Sequence, residues 1–190
     1  MGWMRPTLVV VSGPPASGKT TLARALAHAV HCPAICRDEI KEGFVRGTTS
    51  GSFVPARGDA ANQAATAAFF DVVELLLQRG VTLVAEAAFQ HRRWAPRLTA
   101  LANLGQVRII NCVADEAVAR QRRRQRWIKE PWRRRFHADP DPQQLAAMDP
   151  RTIDPPGPYQ PIGLALPTLV VDTSDGYRPD FDEIVAFASG

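Results

Sequence analysis

A β-branched run, Thr7 to Ser12 (TLVVVS), leads straight into Gly13-Pro14-Pro15-Ala16-Ser17-Gly18-Lys19-Thr20 and then into an alanine-rich stretch, Thr20 to Val30, with Leu22 and Leu26 at helical spacing. No other feature of the chain limits its fold so strongly. A run that is apolar at nearly every position reads as a strand buried on both faces, the mark of a parallel sheet covered by helices. The octet fits G-x-x-x-x-G-K-[ST] and stands where that pattern needs to stand, after a buried strand and at the opening of a helix. Its glycines let the backbone curl around an anion. Successive N–H groups then face that anion at a helix N-terminus, where the dipole also favours negative charge. Gly13, Pro14, Pro15, Ala16, Ser17, Gly18, Lys19, Thr20 and Thr21 are therefore expected to surround a nucleotide's phosphates. Lys19, one of only three lysines in the chain, is expected on the β- and γ-phosphates, and the Thr20 hydroxyl on Mg²⁺.

The remaining elements follow the same alternation. Strands are expected at Ala34 to Arg37, Val81 to Ala85, Val107 to Val113 and Thr168 to Val171. Between and after them, helices are expected from an Asp59 N-cap to about Arg79, from Arg92 to Leu104, from Asp115 through an Arg-rich stretch, and from Asp180 to Ala188. Lys41 to Gly58, rich in Gly, Ser and Thr, reads as a long loop, and its part from Gly43 to Gly58, with Arg46 and Arg57, is expected to border an acceptor pocket. Pro131 to Pro167 holds nine of the 16 prolines, so it reads as an ordered excursion with one short helical candidate, Pro142 to Met148. The expectation is one domain over residues 1–190 with a lid-like segment at 115–150.

Composition matters here through its distribution. With 45% hydrophobic and 22% charged residues the chain has enough apolar material for a core, which excludes wholesale disorder. The formal charge of +4 is uneven: residues 120–135 carry nine basic side chains and a single acid, and the remaining 14 basic and 18 acidic residues give −4. The body is acidic and one short segment is strongly cationic. No apolar run approaches the roughly 20 residues of a membrane span, and Met1 to Thr7 lacks the pattern of a secretory signal. Three cysteines, Cys32, Cys36 and Cys112, form no framework spacing and suit a reducing, cytoplasmic setting. The grouping of His28, His31, Cys32 and Cys36 matches none of the usual zinc spacings.

Several motifs outside the loop carry chemistry. Asp38, in Cys36-Arg37-Asp38-Glu39-Ile40-Lys41, is a carboxylate just past the second strand; it could deprotonate an alcohol, or simply cap a short helix starting at Glu39. Glu86, ending the third strand, could support the metal shell or act as an alternative base. Arg120 and Arg124 lie four apart on one helix face, and so do Arg122 and Arg126, so spacing leaves the register open. Trp127 and Trp132 among the arginines suit single-stranded nucleic acid, but also suit simple packing of a lid onto the body. Gln90, His91 and Arg93 fall at the carboxyl end of the third strand, where open α/β sheets bind ligands.

Over the phosphate loop, the end of the second strand, the third strand and the Arg-rich helix, the chain resembles small P-loop kinases. They are the polynucleotide-kinase, chloramphenicol-phosphotransferase and zeta-toxin-like group, within a wider set of AAA-type ATP-binding domains. The resemblance implies a three-layer P-loop NTPase fold, a five-stranded parallel sheet in the order 2-3-1-4-5 with helices on both faces, and an Arg-rich lid. It implies transfer of the γ-phosphoryl of ATP to a hydroxyl, with Mg²⁺. On the matching positions Lys19 is catalytic, Asp38 is the general base, Lys41 (where Arg is more usual) binds acceptor, and Arg120 and Arg124 stabilise the transferring charge. The loop Asp172 to Gly176 approaches adenine. The acceptor is a small alcohol or a polynucleotide 5′-hydroxyl. Two other classes fit the same letters: a regulatory or switch-type P-loop ATPase, and a nucleic-acid-binding module with a secondary ATP site.

Overall fold

The computed structural model describes residues 5–47, 54–56, 60–138, 141 and 159–190. Five strands form one parallel sheet: β1 (Thr7–Ser12), β2 (Ala34–Cys36), β3 (Leu83–Glu86), β4 (Gln106–Val113) and β5 (Thr168–Asp172). Their order is β2-β3-β1-β4-β5, as expected. β1 lies between β3 and β4, with Val11 opposite Glu86 on one side and Ile110 on the other. Side chains of β1 alternate between two apolar layers, which is why the run contains no polar member between Thr7 and Ser12. Leu8 and Val10 pack with Phe69, Phe70 and Trp94. Val9 and Val11 pack with Leu22, Leu26 and Ile184.

The first layer is supplied by α3 (Ala60–Gln78) and α4 (His91–Leu101), the second by α1 (Lys19–Ala29) and α6 (Phe181–Ser189). In the first, Phe69, Phe70, Phe89 and Trp94 contact one another, mostly edge-on or tilted, with Phe70 stacked on Phe89 and ring centroids such as Phe69–Trp94 at 5.7 Å. Trp94 is fully buried, and its indole N–H donates to Ser12 Oγ at 3.3 Å. Burial of a ring of that size contributes roughly 3 kcal/mol, and it fixes the carboxyl end of β1, where the phosphate loop begins.

One sequence expectation is corrected. Lys41 to Gly58 does not start as a loop: Arg37–Gly47 is a helix, α2, that follows β2 without a break. Gly43 and Gly47 weaken its intrinsic propensity, but acids in its first turn and packing against the core through Ile40 outweigh that cost. Asp38 therefore sits inside the first turn rather than capping it. Beyond β4 the chain forms α5 (Glu116–Lys129), whose Asp115 cap accepts from Ala117 N–H at 2.8 Å, and then a 3-10 helix, Pro131–Arg135. The Pro142 to Met148 candidate, the Asp59 cap and Arg57 lie outside the described residues. Where the excursion returns, Ile162 is buried in the first layer, and Gln160 and Gly163 hydrogen-bond His91 at the start of α4. Among the described residues no helix is long and apolar enough to cross a membrane.

Candidate active site

The phosphate loop owes its shape to close packing against β4 and β5. A side chain on Gly13 would meet the Cys112 carbonyl oxygen at 2.5 Å, so only glycine lets β1 turn there. Gly18 has φ 74°, a left-handed conformation that glycine adopts without strain, and Ala16 holds φ 67° without that freedom. Pro14 and Pro15 have no N–H to offer an anion. The amides that can converge on a phosphate are consequently those of Ala16 to Thr20, and the prolines contribute shape and carbonyls. Pro14 O accepts from Ser17 N–H at 3.2 Å and from Lys19 Nζ at 3.5 Å.

Lys19, Thr20, Asp38 and Glu86 line one cavity of about 260 Å³. Glu86 is 3% exposed, and its Oε2 accepts from Thr20 Oγ1 at 3.1 Å. Burial pushes its carboxyl above the ordinary range; Lys19 and the Thr20 hydrogen bond pull the other way, and Asp38 adds to the rise. A hydroxyl and a carboxylate side by side at the mouth of a phosphate loop fit Mg²⁺, a hard cation that takes few protein oxygens and keeps phosphate and water ligands. Asp38 occupies the opposite situation. Its side chain is 53% accessible, on a concave wall of the cavity. Partial burial pushes its carboxyl up, but His137, Arg37 and Lys19 together hold it below the usual carboxylate range. Arg37 pairs with it at 3.2 Å and is itself anchored on Asn62 Oδ1 at 2.7 Å. Asp38 is thus ionised at neutral pH and fixed from behind. The neighbouring Cys36 thiol is pushed up to about 12, first by burial and then by Glu86 and Glu39, which leaves it unreactive.

The lid arginines divide by face. Arg122 donates to Thr173 Oγ1 at 3.0 Å, to the Thr173 carbonyl, and to Ala16 O at 3.4 Å. Arg126 lines the 260 Å³ cavity and also a second one of about 530 Å³ that contains Gly18, Thr173 and Tyr177. Arg120 instead pairs with Glu116 at 2.7 Å on the exposed side of α5. Arg124 is exposed and lines neither cavity. Lys41 is 2% exposed and does not line the cavity that holds Asp38. Thr21 lines both cavities and Gly176 the larger. Glu42 is a cavity-lining residue that the sequence did not single out, whereas Arg133 and Thr173 fall in the cationic segment and in the Asp172 to Gly176 loop already named. Glu42 would have stood out, one helical turn after Asp38, had residues 37–47 been read as a helix.

A parallel sheet ordered 2-3-1-4-5, with a phosphate loop after the central strand and an Arg-rich helix over it, defines an α/β P-loop kinase-type nucleotide-binding protein. A family model described as an AAA domain matches residues 8–149, and the chain belongs to that family. No curated protein matches it at a significant level. Among solved structures it is similar to a candidate kinase from Chloroflexus aurantiacus, at 27% identity and a TM-score of 0.76, covering 98% of this chain and 95% of that one. It shares its fold with the Mycobacterium tuberculosis APS kinase CysC in complex with AMPPNP and APS, at 15% identity and a TM-score of 0.63, covering 98% and 99%. Chaetomium thermophilum Kti12 in complex with ADP-AlF3 is similar in the same way, at 18% identity and a TM-score of 0.58, covering 97% and 100%. Fold and family together support nucleotide-dependent phosphotransfer as the general class of chemistry.

Proposed function

We propose that this chain, as one domain with its lid, transfers the γ-phosphoryl group of ATP to a hydroxyl acceptor, with Asp38 as general base. The observation that carries the reading is an ionised carboxylate, braced by Arg37, on the wall of the cavity that also holds Lys19, Thr20 and Glu86. The acceptor hydroxyl gives its proton to Asp38 as its oxygen bonds to the γ-phosphorus. The bond to the β–γ bridging oxygen breaks, and ADP leaves. Lys19 and the Ala16 to Thr20 amides carry the phosphate charge. Thr20 directly, and Glu86 directly or through water, would hold Mg²⁺, which supplies charge neutralisation on the phosphate oxygens when bound.

Of the two arginine registers, the geometry favours Arg122 and Arg126 over Arg120 and Arg124 for the role of stabilising the transferring charge. Lys41, buried in α2, is left out of the acceptor contacts. A small alcohol and a polynucleotide 5′-hydroxyl both suit the site: of the aromatics among the arginines Trp127 is covered, whereas Trp132 is 44% exposed and lines the cavity that holds Asp38. Arg134 covers the Trp127 ring at 4.0 Å, and Trp132 packs edge-on against Phe136 at 6.0 Å. The ATP supply and reduced thiols of a cytoplasm suit this reading.

The test is a transfer screen with γ-labelled ATP, Mg²⁺ and a panel of sugars, nucleosides, aminoglycoside- and phenicol-type alcohols and 5′-hydroxyl oligonucleotides. Label is expected on a hydroxyl compound. Phosphate released at a rate that no hydroxyl compound alters would instead support a switch-type ATPase. Salt-sensitive oligonucleotide binding without ATP would support the nucleic-acid module.

A further inference from the structure

We propose that Glu42 is a positioning residue: through one carboxylate it docks the foot of the Arg-rich lid onto the helix that carries Asp38, so that lid seating and base placement are set together. The proposal rests on the reading of α5 as a phosphate-seating lid. Glu42 stands one turn after Asp38 on α2, and both side chains line the same cavity. Its Oε1 accepts from His137 Nε2 at 2.9 Å and faces Arg133 Nη1 at 3.7 Å. A carboxylate there requires the proton on Nε2 of the ring.

These are not the loose surface pairs that contribute little. The side chains of Glu42, His137 and Arg133 are 18%, 9% and 16% exposed. A second contact repeats the attachment further along the same helix, where the Arg46 guanidinium lies over the Phe136 ring at 5.4 Å. Phe136 is itself buried. The docked segment follows α5 directly, since Glu130 caps both α5 and the 3-10 helix and Arg133 approaches its carboxylate at 3.9 Å. Arg126, which faces the phosphate loop, is one turn before Glu130, the cap that joins α5 to the docked segment. His137 completes the link: it holds Glu42 by a hydrogen bond and also acts electrostatically on Asp38. Moving the foot of the lid therefore moves a neighbour of the base.

The experiment uses the full chain and two readouts. Trypsin digestion with fragment mapping follows cleavage after Arg133, Arg134 and Arg135 without nucleotide. Glu42→Ala is expected to raise that rate about 5-fold or more by releasing the segment locally. Turnover of ATP is expected to fall about 10-fold while the affinity for AMP-PNP changes less than about 3-fold, because the phosphate loop is intact. Glu42→Gln keeps an acceptor for His137 and should recover part of both losses, and it serves as the isosteric variant if Glu42→Ala does not fold. Combining Glu42→Ala with His137→Ala should be little worse than either alone, since both break one contact. Arg24→Ala, which breaks the exposed Arg24–Glu39 pair of the same helix, should leave the cleavage rate unchanged. Wild-type cleavage in Glu42→Ala, or independent multiplicative effects of Glu42 and His137, would overturn the proposal. Failure of the phosphotransfer reading shows separately: the cleavage result needs no nucleotide, and Lys19→Ala should leave it as in the wild type.

Discussion

Asp38 and Glu86 line one cavity with Lys19, and their surroundings drive their protonation in opposite directions. Glu86 ends a central strand, is almost sealed, and has the Thr20 hydroxyl as its partner; burial dominates and its carboxyl is raised. Asp38 begins an outer helix, is half open to solvent and stands in the field of His137, Arg37 and Lys19; the positive charges outweigh partial burial and its carboxyl is lowered. In the proposed reaction these two acids take two jobs. An exposed, permanently ionised group can meet an incoming hydroxyl, whereas a sealed one can serve only what is already lodged in the phosphate loop. On the proposed reading, environment rather than residue type separates base from metal support.

Lys19 is the charge common to both acids, so removing it should blur the contrast most. Lys19→Ala is expected to lower ATP turnover by about 10³-fold or more; a loss under about 10-fold would mean that the cavity does not organise around the phosphate. Asp38→Asn comes next. Nucleotide affinity, read by titration, should stay within about 2-fold while turnover falls by about 10²-fold or more. Glu86→Gln should cost about 10-fold, in the range of outer-shell partners of a metal, and higher Mg²⁺ should restore part of it. A base role for Glu86 would instead give the larger loss of the two, with no rescue.

The smallest effects are on stability, and here the two acids should differ in sign. Asp38 is lowered in the fold, so its contribution is present above the ordinary aspartate range and is lost as pH falls through that range. Glu86 is raised in the fold, so its protonated form favours the native state below the ordinary glutamate range, and that contribution is lost as pH rises through its raised value. Denaturation followed from about pH 2 to pH 8 should show Asp38→Asn losing ground to the wild type as pH rises up to the ordinary aspartate range, and Glu86→Gln gaining it as pH rises beyond the ordinary glutamate range. Parallel slopes would mean that the environments do not differ as described.

Much of this arrangement was legible in the letters. The strand-loop-helix junction at Thr7 to Val30 could be read because burial on both faces, glycine geometry and phosphate chemistry all constrain the same residues. Glu86 could be placed because it ends a strand whose apolar run is plain, and Asp38 because it follows closely on the second strand. The α2 helix could not, since Gly43 and Gly47 hide it and its stability comes from packing that local propensity does not record; Glu42 went unseen with it. The arginine register was also closed to the sequence. Residues 120, 122, 124 and 126 offer two equivalent spacings, which differ only in their contacts: Arg122 with Thr173 and Ala16, Arg126 in both cavities, and Arg120 with Glu116. The buried position of Lys41 was likewise invisible, because a lysine beside a candidate base reads as a ligand contact until its helix is packed.

The most direct test of the central claim is a single-turnover measurement of γ-phosphoryl transfer from labelled ATP, with wild type and Asp38→Asn compared at matched nucleotide saturation and with the acceptor found in the screen. The account predicts that both proteins bind ATP alike, that label moves to the acceptor hydroxyl in the wild type, and that the chemical step in Asp38→Asn is slower by about two orders of magnitude. Equal rates of transfer in the two proteins would contradict it.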